Sequence, residues 1–209
     1  MKMVAMQSML CGCLFILLSG CSSTKVSQIA VDSSSSVPGS SVTLRGETHN
    51  LLGTALEIGK PLPSTTLTDA YTMKNVDLSQ LYGKVLLISL VPSIDTKVCE
   101  AQTHYLGDKG ERLPAEVVRV TVSRDTPFAQ KRFSEEAKLQ NITFLSDYRD
   151  GSFGKATGLL IDDSMLLARA VIVVDRKGIV RYMQVVPELS HLPNLETAFT
   201  KAIELLNEK

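Results

Sequence analysis

A single α/β domain, with a central mixed sheet and helices on both of its faces, is the fold that the sequence predicts for residues 42–209. The stretch 85–91 is continuously apolar, which is typical of a strand buried on both faces. Strand patterns then alternate with helical patterns, and the chain closes with a hairpin and an amphipathic helix. Elements in this order fit a thioredoxin-like sandwich.

Each element of this fold has its own signal. In chain order they are a β-hairpin at 42–52 around Gly46, a short helix at 78–82, strand 85–91, a helix at 99–109, strand 117–122, a helix at 128–139, strands 170–174 and 179–186 around the turn Asp175-Arg-Lys-Gly178, and a helix at 195–206. In the helix at 128–139, we expect Phe128, Phe133 and Ala137 to pack inward.

The first twenty residues have the features of a bacterial export signal. Lys2 supplies a positive charge, the apolar run 9–18 is too short to span a bilayer, and Leu18-Ser-Gly-Cys21 resembles a lipobox. That resemblance implies a protein anchored in the bacterial cell envelope by lipid on Cys21; an ordinary signal peptide with an incidental Cys is the alternative. An Asp at position 22 would resemble a signal for retention in the inner membrane, but this position is Ser22. The absence of that Asp favours a location at the outer membrane, with the domain facing the periplasm.

Residues 21–41 are predicted to form a flexible tether that starts at the lipidated Cys21, because the segment is rich in Ser and has little apolar periodicity. A loop packed onto the domain is the alternative.

The chain has four cysteines: Cys11, Cys13, Cys21 and Cys99. If the first two leave with the signal and the third carries lipid, Cys99 is the one free thiol. This excludes a Cys-x-x-Cys oxidoreductase and a disulfide-stapled scaffold.

Charge and motif content exclude several other classes. The 22 basic residues balance the 22 acidic ones, and no basic patch or tail indicates a nucleic-acid partner. The sequence has no Gly-rich phosphate loop and no metal-spaced His/Cys cluster, and His49, His104 and His191 are scattered along it. Neither a cofactor nor a metal site is predicted.

Cys99 follows the buried strand 85–91 at the point where a helix should begin, with Thr96 three residues before it. Unpaired N–H groups and the helix dipole in a first turn favour the thiolate, which is the nucleophilic form. The Thr96 hydroxyl can hydrogen-bond the sulfur or an oxygen presented to it. The alternatives are a buried structural Cys and a Cys-dependent hydrolase or transferase. The hydrolase would need a nearby His base, but His104 lies on a different helical face.

Pro92, Thr96 and Cys99 resemble the Pro-x-x-x-Thr-x-x-Cys signature of peroxiredoxins, and the run 92–99 is similar to the thiol peroxidase branch. Similar blocks include Pro127-Phe-Ala-Gln-Lys-Arg-Phe133 and Leu167-Ala-Arg-Ala-Val171, in an order that covers the chain after residue 41. The resemblance implies a thioredoxin-like fold with an added N-terminal hairpin, a homodimer, and a peroxidase that needs no cofactor. Cys99 would attack hydrogen peroxide or an organic hydroperoxide and become a sulfenic acid.

The same resemblance implies roles for the surrounding residues. Thr96 would align the sulfur and the attacked oxygen, and Pro92 would shield the sulfur from water. Arg169 would favour the thiolate and stabilise charge on the breaking O–O bond. Without that context, an Arg before a buried strand is more often a solvated charge.

Ser134 departs from the branch, which commonly has a resolving Cys at this position; Lys97 is a lesser departure. Because serine cannot form a disulfide, the sequence predicts a one-Cys cycle. An external thiol, a thioredoxin-like reductant or a second subunit's sulfur would then reduce Cys99. A catalytically silent binding or redox-sensing lipoprotein of the same fold is the alternative function.

Overall fold

The computed structural model describes residues 28–208. The predicted signal peptide, 1–20, and the predicted lipidation site, Cys21, lie outside the described residues. Across 28–208, no helix is both long enough and apolar enough to cross a membrane.

Within this range the domain has ten strands and four α-helices. The strands are β1 (Ser41–Leu44), β2 (Glu47–Leu52), β3 (Leu67–Asp69), β4 (Asn75–Val76), β5 (Val85–Leu90), β6 (Val117–Ser123), β7 (Thr143–Ser146), β8 (Leu160–Ile161), β9 (Ala170–Val174) and β10 (Val180–Val185). The helices are α1 (Lys97–His104), α2 (Pro127–Glu136), α3 (Ser152–Thr157) and α4 (Leu195–Asn207). A 3₁₀ turn at Leu78–Gln80 precedes β5, and a π turn at Tyr105–Lys109 continues α1.

Seven strands form the central sheet, in the order β10-β9-β5-β6-β7-β3-β4. β5 is parallel to β6 and antiparallel to β9, so the sheet is mixed as predicted. All six β5 residues are buried. Leu86 and Ile88 join the hydrophobic cluster on one face, and Val85 and Leu87 join the cluster on the other, because side chains alternate along a strand. The predicted burial on both faces is confirmed.

Helices cover both faces of this sheet. Ala198, Phe199 and Ala202 of α4 pack in the cluster that contains Val85. Phe153 of α3 packs in the cluster on the opposite face. These layers are those of the predicted α/β sandwich.

The predicted N-terminal hairpin is confirmed, and β8 extends it to a three-stranded sheet. Its turn contains Arg45 and Gly46, both with positive φ (53° and 87°), a conformation that glycine adopts without steric penalty. The hairpin is fixed to the domain at Thr43, whose N–H donates to the Pro187 carbonyl and whose own carbonyl accepts from the Leu189 N–H. The hairpin tip is therefore held close to the segment that follows β10.

The structure differs from the predicted tether, 21–41, from residue 30 onward. The Asp32 N–H donates to the Leu192 carbonyl, the Leu192 N–H donates to the Ala30 carbonyl, and the Ser36 N–H donates to the Val185 carbonyl. Few apolar side chains are needed for this packing, because main-chain groups make the bonds. The packed domain therefore begins near residue 30 rather than at 42, and residues 21–27 lie outside the described part.

The expectation that Phe128 packs inward is wrong. Phe128 is 71% exposed, whereas Gln130 and Ser134 are fully buried and Phe133 is partly buried. Residues five apart on a helix are separated by about 140° at 3.6 residues per turn, so Phe128 and Phe133 cannot share one face. The inward face of α2 is instead partly polar, and the Gln130 Nε2 donates to the Leu145 carbonyl at 2.9 Å.

Candidate active site

The loop after β5 is held in one conformation by an acidic residue from the neighbouring β6–α2 turn. Pro92, which has no N–H to donate, follows the end of the strand. The Asp125 carboxylate accepts hydrogen bonds from the Ser93 hydroxyl and from the Ile94 N–H, each at 2.8 Å. These bonds fix the path of the chain into α1.

Thr96 is the N-cap of α1. Its Oγ1 accepts a hydrogen bond from the Cys99 N–H at 3.4 Å, the usual role of an N-cap hydroxyl. Cys99 therefore lies in the first turn as predicted, although the helix begins at Lys97, two residues earlier than expected. A hydroxyl can accept and donate at the same time, so Thr96 can still donate to the sulfur or to an oxygen beside it.

Arg169 is a buried contact of Cys99 and not a solvated charge: it is 2% exposed. Its Nη2 donates to the Cys99 Sγ at 3.3 Å, its Nη1 donates to the Gln102 Oε1 at 2.7 Å, and its Nε donates to the Leu189 carbonyl at 3.0 Å. Bonds from three nitrogens hold the guanidinium plane in one orientation. A positive charge so close attracts a thiolate more strongly than a neutral thiol.

Gln102 is a site residue that the sequence interpretation missed. Its side chain is fully buried, and its Nε2 donates to the Ser89 hydroxyl at 2.7 Å and to the Leu90 carbonyl at 3.2 Å. These bonds leave its Oε1 directed at Arg169. Gln102 lies three residues after Cys99 and hence on the same side of α1, and this spacing was the available signal.

A cavity of about 400 Å³ opens beside this cluster and is lined in part by Pro92, Thr96 and Arg169. Cys99 contacts Thr96 and Arg169. Its own side chain is fully buried, in a small cluster with Val91 and Ile94. The cavity is within the range of small-molecule sites, about 300–1,000 Å³. Its other apolar lining residues are Leu44, Val98, Ile161, Leu166 and Leu189. The structure thus brings all four predicted site residues together beside one cavity.

Ser134 is buried in α2, where its Oγ lies 2.9 Å from the Tyr71 hydroxyl and donates to the Leu139 carbonyl at 3.3 Å. The preceding residue, Phe133, packs against the cluster that contains Cys99. The segment that carries Ser134 therefore borders the surroundings of the sulfur, but its hydroxyl is engaged elsewhere.

The histidines are not gathered around the sulfur. The ring nitrogens of His104 lie 3.9 and 3.8 Å from the carboxylates of Glu100 and Asp108, on the exposed side of α1. His191 pairs with Asp32 at 3.0 Å. His49 lines the cavity, a position that the sequence interpretation did not assign. Over residues 28–208, no group of three or more potential metal ligands occurs.

Comparisons with known proteins agree with this architecture. A family model described as Redoxin matches residues 57–199. The chain is 43% identical over 161 residues to a thiol peroxidase of Listeria innocua, covering 77% of this chain and 96% of that protein. It is 39% identical over 166 residues to a thiol peroxidase of Bacillus subtilis (79% and 98% covered). A crystal structure of a peroxiredoxin-like protein from Aquifex aeolicus superposes with a TM-score of 0.74 at 34% identity (79% and 97% covered).

The chain therefore belongs to the redoxin family, with the thioredoxin-like fold of the peroxiredoxins. Within that family it is a homologue of the thiol peroxidases and an oxidoreductase. The alternative of a catalytically silent binding protein is not favoured.

Proposed function

We propose that this protein reduces hydrogen peroxide and organic hydroperoxides with Cys99 as the nucleophile. The observation that carries the proposal is the 3.3 Å contact between the Arg169 Nη2 and the Cys99 Sγ, both fully enclosed beside a cavity. The thiolate attacks one peroxide oxygen, an S–O bond forms and the O–O bond breaks. Cys99 is oxidised to a sulfenic acid, and the leaving oxygen takes up a proton as water or an alcohol.

The neighbouring residues each have a distinct part in this step. The Arg169 guanidinium stabilises negative charge on the sulfur and on the separating oxygen, because it is already oriented before the peroxide binds. The Thr96 hydroxyl aligns the attacked oxygen, and the ring of Pro92 excludes water from the sulfur.

Regeneration of Cys99 uses a thiol from outside the domain. A first thiol condenses with the sulfenic acid to give a mixed disulfide and water, and a second thiol then releases reduced Cys99. Supporting this one-Cys cycle, Ser134 has an oxygen where a resolving sulfur would be needed.

We further propose that the protein works as a homodimer. Sedimentation of the purified domain tests this proposal, and a monomer at all concentrations would contradict it.

A single-turnover experiment tests the peroxidase proposal. The mature protein is mixed with one equivalent of hydroperoxide and a sulfenic-acid trap, and the label is located by peptide mass spectrometry. We expect the label on Cys99 with matched loss of hydroperoxide, and Cys99→Ser serves as the control. If Cys99 is unlabelled and the hydroperoxide concentration is unchanged, the alternative of a catalytically silent binding protein is favoured instead.

We also propose that the protein is anchored by lipid on Cys21, at the outer membrane and facing the periplasm. The support is the lipobox-like Leu18-Ser-Gly-Cys21 and the absence of Asp at position 22. Cys21→Ala should abolish the lipid mass increment and leave unprocessed protein. A wild-type protein that is soluble and carries no lipid would contradict the proposed lipid anchor. The peroxidase proposal would be unaffected.

A further inference from the structure

Residues 30–36, which we call the strap, lie beside β10, an edge strand of the central sheet. The Ser36 N–H donates to the Val185 carbonyl at 2.9 Å. Gln184, which is 3% exposed, donates from its Nε2 to the carbonyls of two strap residues at 2.8 and 2.9 Å. These bonds satisfy polar groups at an edge that would otherwise be open to solvent. The strap is therefore a fixed part of the domain.

The strap also holds the irregular segment that follows β10, residues 186–192. The Asp32 N–H donates to the Leu192 carbonyl at 2.9 Å, and the Leu192 N–H donates back to a strap carbonyl at 2.8 Å. The Asp32 carboxylate lies 3.0 Å from the His191 Nδ1. In the part of the chain that the structure describes, the main-chain groups of 186–192 bond outside their own segment only to the strap, to β1 and to Arg169. The strap is therefore one of two supports that fix this segment beside Arg169.

The segment 186–192 carries one of the three acceptors that orient Arg169. The Leu189 carbonyl accepts from the Arg169 Nε at 3.0 Å, and the Val186 N–H donates to the Arg169 carbonyl at 2.9 Å. The strap bonds this segment at Leu192, three residues after Leu189. If the strap were released, the Leu189 carbonyl could move, and the guanidinium plane would lose one of its fixed partners.

The strap also helps to enclose Gln102, the acceptor of the Arg169 Nη1. A cavity of about 90 Å³, separate from the one beside Cys99, is lined in part by Val31, Gln102, Tyr105 and Leu192. Val31 belongs to the strap and is 59% exposed, whereas Gln102 is fully buried. Gln102 therefore lies at the inner end of this cavity, and the strap forms part of the wall between its amide and the solvent.

We propose that the strap is a positioning element of the peroxidase site. It fixes the Leu189 carbonyl and encloses Gln102, and these two groups hold the Arg169 guanidinium against Cys99. A donor that is oriented before the reaction stabilises developing charge without a cost of reorganisation, so release of the strap should slow the attack on the peroxide. This inference rests on the proposed peroxidase function and adds residues 30–36 to the groups that support it.

The test measures the rate constant for the reaction of Cys99 with hydrogen peroxide in the mature protein by stopped flow. Asp32→Pro removes the N–H that bonds Leu192 and the carboxylate beside His191. We expect this variant to react about tenfold more slowly, as when a charged group loses one orienting hydrogen bond. Hydrogen exchange of residues 186–192 should become faster in the same variant. Asp32→Asn keeps the N–H and an acceptor for the His191 Nδ1, and should keep the wild-type rate.

Combination with Arg169→Lys distinguishes positioning from stability. If the strap acts through Arg169, adding Asp32→Pro to Arg169→Lys should slow the reaction by less than about twofold, because the lysine has no planar fork to orient. A loss of stability alone would slow both backgrounds by the same factor.

A milder variant keeps the test decisive if Asp32→Pro does not fold. Asp32→Leu keeps the N–H and loses only the bond to His191, and should slow the reaction about two- to threefold. Lys177→Gln, which removes an exposed charge in the turn after β9, is the control for a distant surface change and should keep the wild-type rate.

Each result has one meaning for the strap. Wild-type rates in the folded Asp32 variants overturn the positioning role and leave the peroxidase proposal standing. Equal slowing of the wild-type and Arg169→Lys backgrounds also overturns it, and assigns the strap to stability alone. If the wild-type protein does not reduce hydrogen peroxide, the proposed function itself fails.

Discussion

Arg169 and Cys99 are 70 residues apart in the chain, yet the Arg169 Nη2 donates to the Cys99 Sγ at 3.3 Å. The contact arises because β9 pairs directly with β5. Arg169 immediately precedes β9, and the loop after β5 leads into the helix that carries Cys99. The antiparallel pairing puts the beginning of β9 beside the end of β5, with Leu90 opposite Ala170. The charge and the sulfur therefore meet at one edge of the sheet.

Arg169→Lys should slow the reaction of Cys99 with hydroperoxide by about 10²–10³. An ammonium lacks the planar fork and cannot contact Cys99, Gln102 and the Leu189 carbonyl together. Each buried acceptor left unpaired should also lower the free energy of unfolding by about 1–3 kcal/mol. Stopped-flow rates and urea unfolding measure the two effects, with Lys177→Gln as the control. A native rate in a folded variant would remove Arg169 from the mechanism.

Gln102→Met should reduce the reaction rate by about tenfold, because Arg169 loses the acceptor of its Nη1 and one hydrogen bond of this kind is worth about 1.5 kcal/mol. Thr103→Val is the matched control, since Thr103 is equally buried but bonds only the Cys99 carbonyl. The free energy of unfolding of each variant is measured as well, so that a slower reaction can be distinguished from a loss of stability. Equal rates for the two variants would mean that Gln102 serves stability alone and does not position Arg169.

Ser134→Cys should form a disulfide with Cys99 after peroxide treatment. Disulfide geometry needs Cα atoms within about 7 Å. Because the Ser134 side chain is buried and bonded to Tyr71 and the Leu139 carbonyl, we expect the end of α2 to open locally, which is a low-energy fluctuation in many domains. Peptide mapping under non-reducing conditions detects the bond, and turnover with a thioredoxin-like reductant should improve. Ser146→Cys, a buried serine in β7, is the control and should not cross-link. If Ser134→Cys also fails to cross-link, the one-Cys cycle depends on more than this substitution.

Glu188→Gln should remove an acid-sensitive part of the stability. Burial acts to raise the pKa of Glu188, but hydrogen bonds from Ser190, Thr43 and the Arg45 N–H outweigh it and lower the pKa to about 2. A lowered folded-state pKa stabilises the protein above the ordinary value of about 4.3, and this contribution is lost as the pH falls toward 2. After allowance for solvent screening, we expect about 1 kcal/mol. Urea unfolding should show the wild type more stable than the variant at pH 6 and the difference shrinking at pH 3. A difference that does not change with pH would contradict this assignment.

The elements that could be predicted from the amino-acid sequence are those whose signals are local. The continuous apolar run of β5, the turn around Gly46 and the helix that carries Cys99 each depend on neighbouring residues, and all are found, although the helix begins two residues before the predicted start. The short strands β3, β4, β7 and β8 were not predicted; they have two to four residues each. Such segments form strands because a partner strand is present, and they are too short to show a hydrophobic periodicity in the sequence.

Contacts between residues that are distant in the chain could not be predicted from local patterns. Phe128 was misplaced because aromatic residues five positions apart were assigned to one helical face. Main-chain bonds to Leu192 and Val185 pack the segment that begins near residue 30, and its composition contains no sign of them. Gln102 becomes part of the site through Arg169, which lies far along the chain, and His49 through the N-terminal hairpin that lines part of the cavity. Local patterns report local preferences, whereas hydrogen bonds between distant segments form only when the sheet pairing brings those segments together.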